Sequence, residues 1–182
     1  MNKINEIFAS LQGEGFHTGT ASVFVRFSGC NLKCPFCDTQ HQTFSEMSDE
    51  AIVAEVAKHP ANWVILTGGE PSLQATEELV EALHKIGKKI AIETNGTHEL
   101  PKNLDWVTLS PKEDSIVKLT KANEVKVVYT GQEVETWKEK IQAEHYFLQP
   151  CSCKNTQEVV NYILSHPHWR LSLQTHKYIG IE

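Results

Sequence analysis

Positive charge is scarce in this chain: 17 Lys and Arg stand against 23 Asp and Glu, a formal charge of −6. A chain short of basic residues has no electrostatic footprint for a phosphate backbone, so direct nucleic-acid binding is not expected. Long apolar runs are missing too, and nothing approaches the ~20 residues of a membrane span, so no membrane partner is expected. The opening segment, Met1-Asn2-Lys3-Ile4-Asn5-Glu6, lacks the basic-then-apolar layout of a secretion signal, and a cytoplasmic location is expected. Repeats, linkers and low-complexity tracts are absent. What remains is 182 residues at 40% hydrophobic and 22% charged, an ordinary globular composition that predicts one domain over 1–182.

Cysteine is sparse, and its placement says more than its number. Of five, three lie within eight residues (Cys30, Cys34, Cys37) and two are one residue apart (Cys151, Cys153). An odd count without a secretion signal argues against a disulfide framework; clustered thiols in a reducing compartment point to metal.

Short apolar strands alternate with helical patterns. Strands are predicted at Ser22–Ser28, Trp63–Thr67, Lys89–Thr94, Trp106–Ser110, Glu124–Tyr129, His145–Gln149 and Arg170–Gln174. Helices are predicted from an N-cap at Ser48 to about His59, from about Ala75 to Ile86 with Gly87 as the stop, and near Glu133–Ala143 and Thr156–Ser165. This alternation implies right-handed crossovers and an α/β fold with a mostly parallel sheet. A complete eightfold barrel typically takes about 250 residues, so a partial (β/α) barrel of about six mostly parallel strands is expected. In such folds the site lies at the C-terminal ends of the strands. The unusual residues fall there: Gly29-Cys30, Gly68-Gly69-Glu70-Pro71, Glu93-Thr94-Asn95-Gly96, Ser110-Pro111-Lys112 and Gln149-Pro150-Cys151 each follow a predicted strand.

Thiolates suit zinc or an iron–sulfur cluster. A structural zinc site wants four closed ligands, and His41, Cys151 or Cys153 could supply the fourth. The compact spacing favours a cubane, because three cysteines on a short loop leave one iron open. Cys-x3-Cys-x2-Cys directly after a strand, in a βα chain, resembles the radical S-adenosylmethionine superfamily. Gly68-Gly69-Glu70-Pro71 looks like that superfamily's second motif, a backbone edge for the methionyl amino group.

Further segments narrow the resemblance: Ile7-Phe8-Ala9-Ser10-Leu11-Gln12-Gly13-Glu14-Gly15, Phe24 to Leu32, Cys37-Asp38-Thr39, and Leu171-Ser172-Leu173-Gln174-Thr175-His176-Lys177. From about Ile4 to Gly180 the chain resembles the 7-carboxy-7-deazaguanine synthase family, which contracts a pterin ring in queuosine and deazapurine biosynthesis. That resemblance implies a [4Fe–4S] cluster on Cys30, Cys34 and Cys37, with S-adenosylmethionine on its open iron. It implies cofactor contacts from Phe36, Cys37, Asp38, Gly69, Ser110, Pro111, Lys112 and the stretch beginning at Gln149. It places the tetrahydropterin against Leu11, Gln12, Gly13, Arg26 and Thr67, and a magnesium ion on Thr39. It also implies an electron donor such as flavodoxin, and a homodimer.

Several of these residues have plain alternatives. Arg26 is either a solvent-facing charge or a guanidinium fork matched to a substrate carboxylate. Glu14 is either a turn residue or an acceptor for the N–H edge of a pterin. Thr39 is a weak ligand by itself, but magnesium tolerates one or two protein oxygens when substrate and water supply the rest. His176 is either a surface histidine or part of the pocket lining. Cys151 and Cys153 read as adjacent loop thiols. Two rivals remain: a glycyl-radical-enzyme activase, which should lack the Leu-Gln-Gly-Glu-Gly and Leu-Gln-Thr-His segments, and a non-catalytic zinc-binding module.

Overall fold

In the computed structural model, which describes residues 1–37, 39, 43–113 and 115–181, the strands form one sheet. In chain order the elements are β1 (Asn2–Leu11), β2 (Ala21–Phe27), β3 (Ser45–Met47), α1 (Asp49–Val56), β4 (Trp63–Gly68), α2 (Glu77–Lys85) and β5 (Lys89–Thr94). There follow β6 (Trp106–Leu109), β7 (Lys121–Tyr129), α3 (Glu135–Lys140), β8 (Gln142–Pro150), α4 (Thr156–Ser165), β9 (Arg170–Leu171) and α5 (Thr175–Ile179).

The sheet order is β3-β1-β2-β4-β5-β6-β7-β8-β9. From β2 to β9 every neighbour pair is parallel, and β1 and β3 are antiparallel additions at one edge. With β3 and β9 at opposite edges the barrel is open, as its length predicts. The six or so parallel strands expected are β2 and β4 to β8, and among the described residues β1, β3 and the two-residue β9 extend the sheet at its edges. β1 and β3 mix polar and apolar residues because they lie at an edge, so they carry no continuous apolar signal. Conversely, β9 covers only Arg170–Leu171, since Ser172 and Gln174 turn inward to hydrogen-bond Gln149 and Glu14.

Strand alternation divides the residues between two faces. Val23, Val25 and Phe27 of β2 join Val64, Leu66, Ile90 and Ile92 in a core covered by Ile52, Val56, Leu79 and Leu83 of α1 and α2. Farther along the sheet, Val125, Val127 and Leu148 pack with Trp137 and Val159 of α3 and α4. The opposite face is left for the site. The register Arg26↔Thr67, Glu93↔Thr108, Thr108↔Glu124 and Glu124↔His145 lays a band of polar residues across it.

The helix ends follow local chemistry. Ser48 caps α1 by accepting from the Ala51 N–H at 3.3 Å, and Thr76 caps α2 from the Leu79 N–H at 3.2 Å. Gly87, at φ +80°, ends the α2 turn in the left-handed region as predicted. The helix predicted over Glu133–Ala143 stops at Lys140, because Gln142 already pairs in β8. Among the described residues no helix is long and apolar enough to cross a membrane.

Candidate active site

The C-terminal ends of β2, β4 and β5 are joined through backbone and buried polar groups. Beyond β4, Gly69 N–H donates to the Phe27 carbonyl and Glu70 N–H to the Gly29 carbonyl, both at 2.9 Å. The Gly68-Gly69 edge therefore lies directly against the start of the cysteine loop. A Cβ on Gly68 would overlap the Phe27 backbone, and one on Gly69 the Gly29 carbonyl. Glu70 is buried and accepts from Ser72 N–H (3.1 Å), the Ser72 and Thr94 hydroxyls (2.5 and 2.6 Å) and Asn95 N–H (2.7 Å). Its carboxylate ties β4 to β5. Asn95 in turn donates to Asn31 at 3.1 Å, and Asn31 to the Thr97 hydroxyl at 2.9 Å, fixing the loop to the end of β5.

Cys30, Cys34 and Cys37 are free thiols; the first two are half-buried and the third exposed. Cys37 N–H donates to the Cys34 carbonyl at 3.1 Å, and Leu32 N–H reaches the Cys30 Sγ at 3.4 Å. Burial pushes both the Cys30 and Cys34 thiols up, and at Cys34 the nearby Lys112 ammonium works against it. All three line a cleft of about 770 Å³. Among the described residues no three His, Cys, Asp or Glu side chains gather closely enough to hold a single metal ion. A closed zinc site needs four converging ligands. A cubane spreads its thiolates over separate irons, and three cysteines beside a side-chain-free glycine edge fit such a cluster with a ligand on its open corner.

The rest of the cleft lining is largely polar. Gln12, 8% exposed, donates to Glu93 Oε1 at 3.0 Å, and the Thr67 hydroxyl donates to Glu93 Oε2 at 2.9 Å. Glu14 accepts from Gln174 at 3.0 Å and from Lys126 at 2.5 Å. Arg26 is half-buried; its Nε donates to Glu6 at 2.6 Å and its guanidinium lies 5.4 Å from the Phe8 ring centroid. Those contacts hold the planar group while leaving its terminal nitrogens for a ligand. The chain's end closes over Gly13, whose carbonyl accepts from Thr175 N–H and its hydroxyl, each at 2.9 Å. His176 packs so closely there that a Cβ on Gly13 would overlap its ring.

Most residues singled out in the sequence meet in this cleft. Leu11, Gln12, Gly13, Glu14, Arg26, Thr67 and His176 line it with Phe36, Thr39, Gly69, Ser110, Lys112 and Gln149. Pro111 does not line the cleft; it is buried behind the turn whose neighbours, Ser110 and Lys112, are linked at 2.7 Å. Asp38 and His41 lie outside the described residues.

Sequence reasoning put Glu93 at a strand end facing the site but gave it no role, and missed Lys126 altogether, although both line the cleft. A signal was present for each. Glu93 closes the alternation Ile90-Ala91-Ile92-Glu93, and Lys126 interrupts the valine run Val125-Lys126-Val127-Val128 in the second half of β7. Cys151 and Ser152 also line the cleft, so the first thiol of that pair is part of the wall. Ser152 and Cys153 adopt φ of +47° and +62°, unusual for residues with a side chain.

The sequence model of the Radical SAM superfamily matches residues 24–143. The chain is 60% identical over 181 residues to the 7-carboxy-7-deazaguanine synthase of Bacteroides thetaiotaomicron, covering 100% of this chain and 99% of the relative. It is 41% identical over 206 aligned residues to the enzyme of the same name from Bradyrhizobium diazoefficiens, covering 98% of each. The crystal structure of QueE from Escherichia coli matches with a TM-score of 0.81 at 32% identity, covering 96% of this chain and 94% of that one. With cysteine loop, glycine edge and polar wall all within a region these relatives match end to end, the chain belongs to the 7-carboxy-7-deazaguanine synthase family of the radical SAM superfamily.

Proposed function

We propose that this chain, as one catalytic domain, converts 6-carboxy-5,6,7,8-tetrahydropterin to 7-carboxy-7-deazaguanine with loss of ammonia, acting as a ring-contracting carbon–nitrogen lyase. The observation that carries the reading is a single cleft lined by a thiol loop, a bare glycine edge and the polar side chains of Gln12, Glu14, Arg26, Thr67 and Glu93. When bound, a [4Fe–4S] cluster and S-adenosylmethionine supply a 5′-deoxyadenosyl radical.

Each residue then has a physical task. Cys30, Cys34 and Cys37 hold the cluster, and the Gly68-Gly69 edge offers backbone to the methionyl group where any side chain would intrude. Phe36, Ser110, Lys112 and Gln149 line the cofactor's side, with the Lys112 ammonium 5.9 Å from the Phe36 ring centroid. Leu11, Gln12, Gly13, Thr67 and His176 line the pterin's side. Glu14 accepts from its N–H edge, and Arg26 forks its carboxylate. Thr39 lines the cleft and would supply one oxygen to a magnesium ion. An electron donor such as flavodoxin, a cytoplasmic setting and a homodimer complete the reading.

Anaerobic turnover tests it. With reductant, magnesium, substrate deuterated at C6 and limiting S-adenosylmethionine, many product molecules should form per S-adenosylmethionine, with deuterium entering 5′-deoxyadenosine. The contraction is redox-neutral, so hydrogen taken from C6 can be returned. A protein-activating enzyme would instead consume one S-adenosylmethionine per event; a one-to-one ratio, or no deazapurine at all, overturns the reading.

Arg26→Lys gives a narrower test. A point charge replaces a planar fork already held by Glu6 and Phe8. Pterin binding is expected to weaken by roughly 1.5–3 kcal/mol, the range for a lost charged hydrogen bond. S-adenosylmethionine binding should be spared. Unchanged pterin affinity in a titration would remove Arg26 from the substrate carboxylate.

A further inference from the structure

β7 carries a lysine in the middle of a strand whose neighbours are valines, and that lysine is almost wholly buried. Its Nζ donates to Glu14 Oε2 at 2.5 Å and lies 3.5 Å from Glu93 Oε1. Buried ammonium groups are costly unless paired. Here the pairing goes beyond one partner, since Glu124 lies two residues away on the same strand and adds to the field. Burial opposes the charge of Lys126, but Glu14, Glu93 and Glu124 outweigh it and hold the ammonium on.

The effect on Glu14 is reciprocal. Burial would push its carboxyl up, yet the Lys126 ammonium, aided by Gln174 and His176, holds it below the ordinary carboxylate value. Glu124 goes the other way: burial pushes it up, and Lys126, Phe16 N–H and the Thr108 hydroxyl only partly offset this. The charged and titratable groups around Lys126 are thus Glu14 from the β1–β2 loop, Glu93 from β5, Glu124 from β7, Lys112 beyond β6, and His176 of α5 beside Glu14. The hydrogen bonds described at the Glu14 and Glu93 carboxylates are all donated to them, by Lys126, Gln174, Gln12 and Thr67.

We propose that Lys126 is a positioning residue that locks Glu14 and Glu93 as hydrogen-bond acceptors only, so that the cleft selects a ligand edge built of N–H donors. The proposal rests on the pterin reading above and states how that ring is told from its near-isosteres. A 2-amino-4-oxo ring presents N–H groups to a carboxylate. Its 2-oxo counterpart places a carbonyl where the amino group stood, and two acceptors then face each other. Without Lys126, Glu14 would take up a proton more readily in its buried setting. A protonated carboxyl can donate as well as accept, so the barrier against the 2-oxo ring would fall.

The test titrates the anaerobically reconstituted enzyme, with S-adenosylmethionine present, against 6-carboxypterin and 6-carboxylumazine across pH. The unaltered enzyme should prefer the amino compound, and its binding should weaken at acid pH as Glu14 protonates. In Lys126→Met the preference should fall by about tenfold or more. Because the Glu14 carboxyl rises when the ammonium goes, the acid limb should move to higher pH. Lys126→Arg, which keeps a cation, should restore both properties. Should Lys126→Met fail to fold, the pair Lys126→Met with Glu124→Gln removes one charge of each sign and is read the same way. An enzyme that binds neither ring before any substitution overturns the pterin reading, and one that binds both equally overturns the selection of an N–H edge. A charge-removed variant that keeps both the preference and the acid limb overturns the role of Lys126 alone.

Discussion

Replacing any one of Cys30, Cys34 or Cys37 with Ala is expected to abolish both cluster incorporation and turnover. Cys151→Ala and Cys153→Ala should retain iron and sulfide. All three loop thiols line the cleft, and a cluster held by them would lose one of its three protein ligands with each substitution. Cys151 stands elsewhere on the wall, after β8, with its N–H held by Asn155 Oδ1 at 2.8 Å. Its loss should at most weaken S-adenosylmethionine binding. Because the loop thiols are half-buried or exposed rather than core groups, their substitution should cost little fold stability. Iron and sulfide analysis of all five variants after anaerobic reconstitution, with a thermal melt, separates these cases. Complete cluster loss in Cys151→Ala would move the ligand set off the loop.

The second large effect is expected at Gly69, where Ala should lower S-adenosylmethionine affinity by at least about tenfold, the equivalent of roughly 1.4 kcal/mol. The reason is space. Its added Cβ would meet the carbonyl oxygen and carbon of Gly29 and approach the Cys30 nitrogen, backbone atoms that cannot swing aside like a side chain. To relieve the overlap, either the Gly68-Gly69 edge or the start of the cysteine loop must move. Both belong to the same hydrogen-bonded seam, through Gly69 N–H to Phe27 and Glu70 N–H to Gly29. Gly19→Ala is the control: it sits at φ +86° with nothing within 4 Å of a Cβ, so it pays only the backbone cost, about 1–2 kcal/mol of stability. Equilibrium titration with S-adenosylmethionine decides between them. Wild-type affinity in Gly69→Ala would mean the glycine edge is not the cofactor's seat.

The parts of this molecule legible in the sequence are those whose signal is local. Cys30-x3-Cys34-x2-Cys37 and Gly68-Gly69-Glu70-Pro71 are short motifs, and the apolar strands β4 and β5 were placed within a residue because buried parallel strands read as apolar runs. Ser48 at the start of α1 follows the same rule. β1 escaped because half its residues stay partly exposed in an antiparallel pair with β2, and no apolar run marks it. Arg26 stands out in the sequence as a charge inside the apolar β2, but its hold by Glu6 required β1 to lie alongside β2 with Glu6 opposite it.

From its order of residues alone, this chain determined the α/β alternation, the strand ends where chemistry collects, the three-thiol loop and the glycine edge. Each depends on neighbours a few positions apart, within reach of backbone sterics, helix caps and strand periodicity. Tertiary structure decided which charges would meet. Glu14, Glu93 and Lys126 come from a hairpin loop and two strands, and Gln174 reaches Glu14 from the far end of the chain. No spacing rule links such distant positions. Their partnership arises because the sheet face that α1 to α4 leave uncovered brings them together over the cleft, where burial strengthens every charge it leaves paired and penalises every one it does not.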